Sequence, residues 1–86
     1  MAVVTLRGPL KKLAGDRSEH HVDGGTVGEA FLALERAQPA LSGWILDERG
    51  HVRRHINVFV DGEYGREDTP VGPDVRIEIL QAISGG

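Results

Sequence analysis

Apolar positions fall into two periods along this chain, one of two residues and one of three to four. Val3 to Arg7 opens with β-branched residues and reads as a strand. Gly8 and Pro9 break it. Leu10 and Leu13 lie three apart, so one helical turn can bury both. Gly15 and Asp16 signal a turn. Ser18 to Val22 is a short polar strand suited to a sheet edge, and Asp23, Gly24 and Gly25 turn the chain again. The strongest local signal follows. Thr26 precedes Glu29 by three residues, the capping-box spacing. The Thr26 hydroxyl can accept from the Glu29 N–H, while the Glu29 carboxylate reaches back to the Thr26 N–H and sits at the positive end of the helix dipole. Val27, Ala30, Phe31, Leu34 and Ala37 then make an apolar stripe at helical spacing. Pro39 restricts Gln38, so the helix is expected over residues 27–38.

Ala40 to Leu46 is expected to form a short helical turn, anchored by Leu41 and by Trp44 or Ile45. A long strand is expected from Val52 to Val60, with Ile56, Val58 and Val60 on one face and His55, Asn57 and Phe59 on the other. Asp61 and Gly62 are a two-residue hairpin signal. Glu63 to Arg66 returns as a short strand. Residues 67–74 contain Pro70, Gly72 and Pro73 and are expected to be loop. Val75 to Leu80 is the last strand, with Val75, Ile77 and Ile79 on one face. The order is strand, strand, helix, strand, strand, strand. The apolar alternation of the first and last strands suits central positions in a sheet. One helix can cover only one sheet face. The predicted fold is α+β, a ubiquitin-like β-grasp with a mixed sheet of about five strands and one main helix. Residues 1–80 make up the domain, and 81–86 a flexible tail ending in two glycines.

Composition narrows the chemistry. The 86 residues suit one small domain, with no room for a dinucleotide-binding fold or a barrel with a deep cleft. There is no cysteine, which excludes a disulfide scaffold, a thiolate-bound cluster and a thiol nucleophile. The net charge of −3 and the interspersed charges argue against nucleic acid or membrane as a partner. The opening residues lack the pattern of a signal peptide, so the expected location is the cytoplasm.

Gly85 and Gly86 carry the chemical interest. Without Cβ atoms the pair can enter a narrow channel and adopt backbone angles closed to other residues. The Gly86 carboxylate is then the reactive group. A carboxylate acylates poorly, so it must first be activated, typically by adenylation, before sulfur or an amine attacks.

Four stretches resemble the ThiS/MoaD family of sulfur carrier proteins. They are residues 10–15 (LKKLAG), 26–29 (TVGE), 55–63 (HINVFVDGE) and 75–86 with the final Gly85 and Gly86. Together they span most of the chain. The resemblance implies a protein whose terminal glycine is adenylated by a ubiquitin-activating-type adenylyltransferase that uses ATP and Mg, with no cofactor bound permanently by the carrier. A sulfurtransferase or other sulfur source converts the adenylate to a thiocarboxylate, which donates sulfur to a biosynthetic enzyme. The long segment from Trp44 to Arg54 looks more like carriers of cysteine or secondary-metabolite sulfur incorporation than like the compact thiamine carrier. Members often have proline before the tail, where this chain has Gln81. They often have Gly-Asp before the last strand, where this chain has Pro73 and Asp74.

Phe59 and Leu80 fall on the strand face opposite the helix, with Val3 as their neighbour and Ile83 following in the tail. They form the expected partner-docking patch. His20 and His21 point to opposite faces of one strand. His51 and His55 converge only through an additional turn, so no metal site is expected. Arg53 and Arg54 read as a solvated strand end, and Glu48, Glu63, Glu67 and Asp68 as solvated turn residues. Three alternatives share these features. One is a ubiquitin-like modifier that joins Gly86 to a lysine. Another is a molybdopterin synthase small subunit that inserts its tail into a large subunit. The third is an interaction module that does not use its terminus. No nucleophile–base pair marks an independent enzyme.

Overall fold

The computed structural model describes residues 1–81. The observed elements are β1 (Ala2–Thr5), α1 (Gly8–Leu13), β2 (Glu19–Val22), α2 (Val27–Ala37), a 3-10 turn (Pro39–Leu41), β3 (Ile56–Val60), β4 (Glu63–Gly65) and β5 (Arg76–Gln81). The five strands form one sheet in the order β2-β1-β5-β3-β4. β1 and β5 pair in parallel, and every other neighbouring pair is antiparallel. The first and last strands therefore hold interior positions, as their alternation predicts. β5 continues through Gln81, where the sequence places the start of the tail.

One sheet face buries Ala2, Val4, Val22, Ile56, Val58, Ile77 and Ile79. Val27, Ala30, Phe31 and Leu34 of α2 pack into the same core, together with Leu6, Leu10, Leu41, Ile45 and Leu46. The helix start is held from two sides. Thr26 is the N-cap, and its Oγ1 accepts from the Glu29 N–H at 3.2 Å. The Val27 and Gly28 N–H groups donate to the carbonyls of Thr69 and Glu67 at 3.0 and 2.8 Å. The Glu29 carboxylate accepts from the Gly25 N–H at 2.7 Å, one residue earlier than the predicted Thr26 partner. The loop over residues 67–71 thus satisfies donors that the first turn leaves open.

The expected strand from Val52 is shorter than its pattern predicts and begins at Ile56. Val52 makes an isolated bridge to Leu46, the Arg53 N–H donates to the Ile45 carbonyl, and the Ile56 N–H donates to the Arg53 carbonyl in a turn. These bonds take the backbone groups that a longer β3 would offer. The segment is also pinned by Glu35 of α2, whose Oε2 accepts from the Ile45 and Leu46 N–H groups at 3.2 and 2.9 Å. Of the two expected anchors, Ile45 is 0% exposed and Trp44 is 45% exposed, so Ile45 fills the core. Asp61 and Gly62 both have positive φ, 49° and 85°, the geometry of a two-residue hairpin. The Asp61 carboxylate and N–H also bond the Arg76 backbone, tying the hairpin to β5.

Candidate functional site

The sheet face away from α2 carries the residues expected to dock a partner, and strand register fixes their order. Across one row lie Glu19, Thr5, Glu78, Phe59 and Tyr64. In the next row toward the end of β5, Leu80 stands opposite Asn57. In the row on the other side, His21, Val3 and Arg76 are neighbours. Phe59 and Leu80 thus share a face and sit diagonally on adjacent strands, within reach of large side chains. Val3 lies on the far side of β5, separated from Phe59 by the strand that carries Arg76 and Glu78. Ile83, Gly85 and Gly86 lie outside the described residues.

Two features of this face escaped the sequence reading. Tyr64 is 68% exposed, and its ring meets Phe59 edge-on with centroids 5.7 Å apart and planes at 86°. Counting back across the Asp61–Gly62 turn pairs Phe59 with Tyr64, so the hairpin signal itself held this information. The second feature is a charged belt. Arg76 pairs with Glu19 at 3.0 Å, and Arg7 with Glu78 at 3.1 Å. The belt crosses β1, β2 and β5, so it separates Val3 from the apolar group of Phe59, Tyr64 and Leu80. These pairs are solvent-exposed and add little stability. Their effect is to set a charge pattern beside the apolar residues.

Leu80 is 38% exposed and also lines a hollow of about 280 Å³ with Arg7, Gly8, Pro9, Ile79 and Gln81. The hollow lies where β5 meets the start of α1, at the last described residues of the chain.

The histidines separate as the strand geometry requires. His20 faces inward and is 5% exposed, while His21 faces solvent. The His20 Nε2 lies 2.9 Å from the Arg17 carbonyl, which can only accept, so Nε2 carries the proton. His51 Nδ1 lies 3.1 Å from both carboxylate oxygens of Glu67, so Glu67 is open to solvent, as its loop position predicts, and also has a neighbour the sequence did not show. Asp47 Oδ1 accepts from the N–H groups of Arg49 and His51. The His51 N–H is the main cause that holds the Asp47 carboxyl below the usual range. Desolvation opposes the shift, while the Arg49 N–H and the His51 and Arg53 charges add to it. Among the described residues, no three His, Asp or Glu side chains come together to hold a metal ion. No helix among them is long and apolar enough to cross a membrane.

Comparison with known proteins decides the family. The ThiS family matches residues 4–86. This chain belongs to the ThiS family. It is 34% identical over 79 residues to Small archaeal modifier protein 1 of Haloferax volcanii, covering 90% of this chain and 91% of that protein. The crystal structure of the Haloferax volcanii protein superposes with a TM-score of 0.83 at 32% identity, covering 99% of this chain and 98% of the other. A chain in the crystal structure of the Amycolatopsis orientalis BexX/CysO complex superposes with a TM-score of 0.87 at 24% identity, covering 100% of both. The β-grasp fold expected from the order of elements is the fold of these neighbours.

Proposed function

We propose that this ThiS-family chain is a sulfur carrier that acts through the carboxylate of Gly86. The supporting observation is that the family match runs through residue 86 and takes in Gly85 and Gly86, just beyond the interior strand β5. In the first step the Gly86 carboxylate attacks the α-phosphate of ATP on an adenylyltransferase, releasing pyrophosphate. In the second, hydrosulfide from a sulfur source displaces AMP and leaves a thiocarboxylate directly, whereas the persulfide of a sulfurtransferase displaces AMP to give an acyl disulfide, which a thiol then reduces to the thiocarboxylate. That group then passes its sulfur to a biosynthetic enzyme. The carrier is a substrate throughout, and ATP and Mg belong to the activating partner. The apolar residues Phe59, Tyr64 and Leu80, with the hollow beside Leu80, form the surface on which that partner docks. Val3 stands outside this group, and Ile83, the other residue expected to take part, lies outside the described residues. The cytoplasm, where ATP and reduced sulfur are at hand, is the proposed location.

Intact-mass spectrometry tests the reading after incubation with ATP, an adenylyltransferase and a sulfur source. The expected product has one oxygen replaced by sulfur at Gly86. Deleting Gly86 abolishes that product, and Gly86→Ala slows it more than Gly85→Ala does, because attack tolerates only about 1 Å of misplacement. A Gly86 deletion that is thiocarboxylated at the parental rate overturns the proposal.

The likeness to Small archaeal modifier protein 1 favours a second reading, in which an amine rather than sulfur displaces AMP and forms an isopeptide. The only lysines in this sequence are Lys11 and Lys12, both on α1. Conjugation between copies must therefore map to these two or to the amino terminus. Peptide mapping of any conjugate checks it.

A further inference from the structure

A second cleft lies on the β3–β4 side of the sheet, between the segment that leads into β3 and the end of β4. Its volume is about 290 Å³, and Arg53, Arg54, Arg66, Ile56, Tyr64 and Glu67 are among its lining residues. Three arginines thus line one cleft in a chain whose net charge is −3. Arg7 and Arg76 are each paired with a glutamate. Among the described residues, Arg53, Arg54 and Arg66 pair with no carboxylate. Glu67 is the one carboxylate lining the cleft, and both its oxygens are engaged by His51 at 3.1 Å. The Arg53 Nε donates to the Gly43 carbonyl at 2.5 Å, which gives that residue a structural bond and leaves its outer N–H groups over. Among the described residues, the side chains of Arg54 and Arg66 make no hydrogen bond. These two side chains therefore make no polar bond that holds the described domain together.

Their position gives them a use. Ile56 lines the cleft and pairs with Gln81 in the β3–β5 register. The cleft therefore opens at the start of β3, whose Ile56 is the register partner of Gln81, the last described residue of β5. Any protein that handles the C-terminal segment comes close to these arginines. A guanidinium receives a carboxylate through two parallel N–H···O bonds, and a set of them suits consecutive acidic side chains. The Tyr64 ring, 68% exposed, meets Phe59 edge-on, so the cleft and the apolar patch share this residue.

We propose that this arginine cleft binds an acidic segment, a run of aspartate or glutamate, on the protein that engages the C-terminal segment of this chain. Naming that protein as the partner rests on the carrier reading, whereas recognition of carboxylates by the cleft does not. The cleft acts with the apolar patch on Phe59, Tyr64 and Leu80, one giving charge register and the other buried area.

A hexaglutamate peptide serves as the probe, titrated into the ¹⁵N-labelled protein at low salt. Amide shifts are expected to concentrate at residues 52–56 and 64–67 and to collapse as salt rises. Arg54→Gln with Arg66→Gln should weaken binding about tenfold, taking charge-assisted bonds as the stronger class, with an unchanged thermal midpoint. Arg17→Gln, away from the cleft, should bind as the parent does. Shifts spread over the whole surface, or parental affinity in the double variant, overturn the proposal. Inorganic phosphate or a single-stranded oligonucleotide of matched charge binding as tightly as the peptide also overturns it. No step of this measurement uses Gly86, so failure of the carrier reading and failure of the cleft are read separately.

Discussion

Replacing Thr26 with alanine removes one of the bonds that start α2 and leaves the others. At the beginning of this helix the Val27, Gly28 and Glu29 N–H groups have no intrahelical acceptor. The first two donate to the Thr69 and Glu67 carbonyls, and only the third depends on Thr26 Oγ1. The Thr26 carbonyl still accepts from Ala30 at 3.0 Å after the change, because that bond is made by backbone. The loss is thus one cap bond, 3.2 Å long and exposed to solvent. Such a cap contributes about 1 kcal/mol. In a domain of this size 1 kcal/mol moves the thermal midpoint by about 4–8 °C. Calorimetry or circular dichroism measures the shift, and urea unfolding should show a lower midpoint at unchanged slope. Thr26→Ser, which keeps the oxygen, should stay close to the parent. A Thr26→Ala midpoint equal to the parent's would refute the cap. A loss above about 3 kcal/mol would show that the loop over 67–71 detaches with it, against the independence of its bonds.

Glu35→Ala should cost about 2–3 kcal/mol in urea unfolding, because it strips the acceptor from the Ile45 and Leu46 N–H groups, with Glu35→Gln costing less. Leu80→Asp and Phe59→Ala should weaken calorimetric binding to the activating enzyme while far-ultraviolet circular dichroism stays parental; unchanged affinity would remove the apolar patch from the interface. The Asp47 carboxyl should titrate below an ordinary aspartate by NMR, held down chiefly by the His51 N–H. A depressed folded value means that its contribution is complete above the unfolded pKa and fades as pH falls through the folded one. Asp47→Asn should lose this acid-side dependence, and an ordinary titration of Asp47 would contradict the bonding of the turn.

The elements were largely legible in the sequence because each is dictated by near neighbours. Thr26 and Glu29 announce the helix start, Asp61 and Gly62 the hairpin, and Ile56, Val58, Ile77 and Ile79 the buried face, through spacing and residue type alone. The pair Gly85 and Gly86, with the family resemblance, carries the chemistry proposed above from sequence alone, since both lie outside the described residues. The beginning of β3 was not legible. Val52 has a strand-like side chain, but the chain ends that strand pattern by bonding Arg53 and Ile56 into a turn and Val52 to Leu46. Such bonds join residues whose proximity depends on how the segment after α2 folds back, and Glu35 decides that from another element.

The docking face shows the same division. Alternation by itself determined that Phe59 and Leu80 point away from the helix, since the period of a strand is a local property. Which residues stand beside them is a matter of strand order, and strand order joins parts of the chain far apart in sequence. Only the tertiary structure placed β5 between Val3 and Phe59, ran Arg76 and Glu78 through the face, and brought Arg66 to Arg53 and Arg54. The physical reason is that pairing of β1 with β5 and of β3 with β5 is chosen by the burial of the common core. That choice fixes the outward neighbours as a consequence, with no outward residue encoding it.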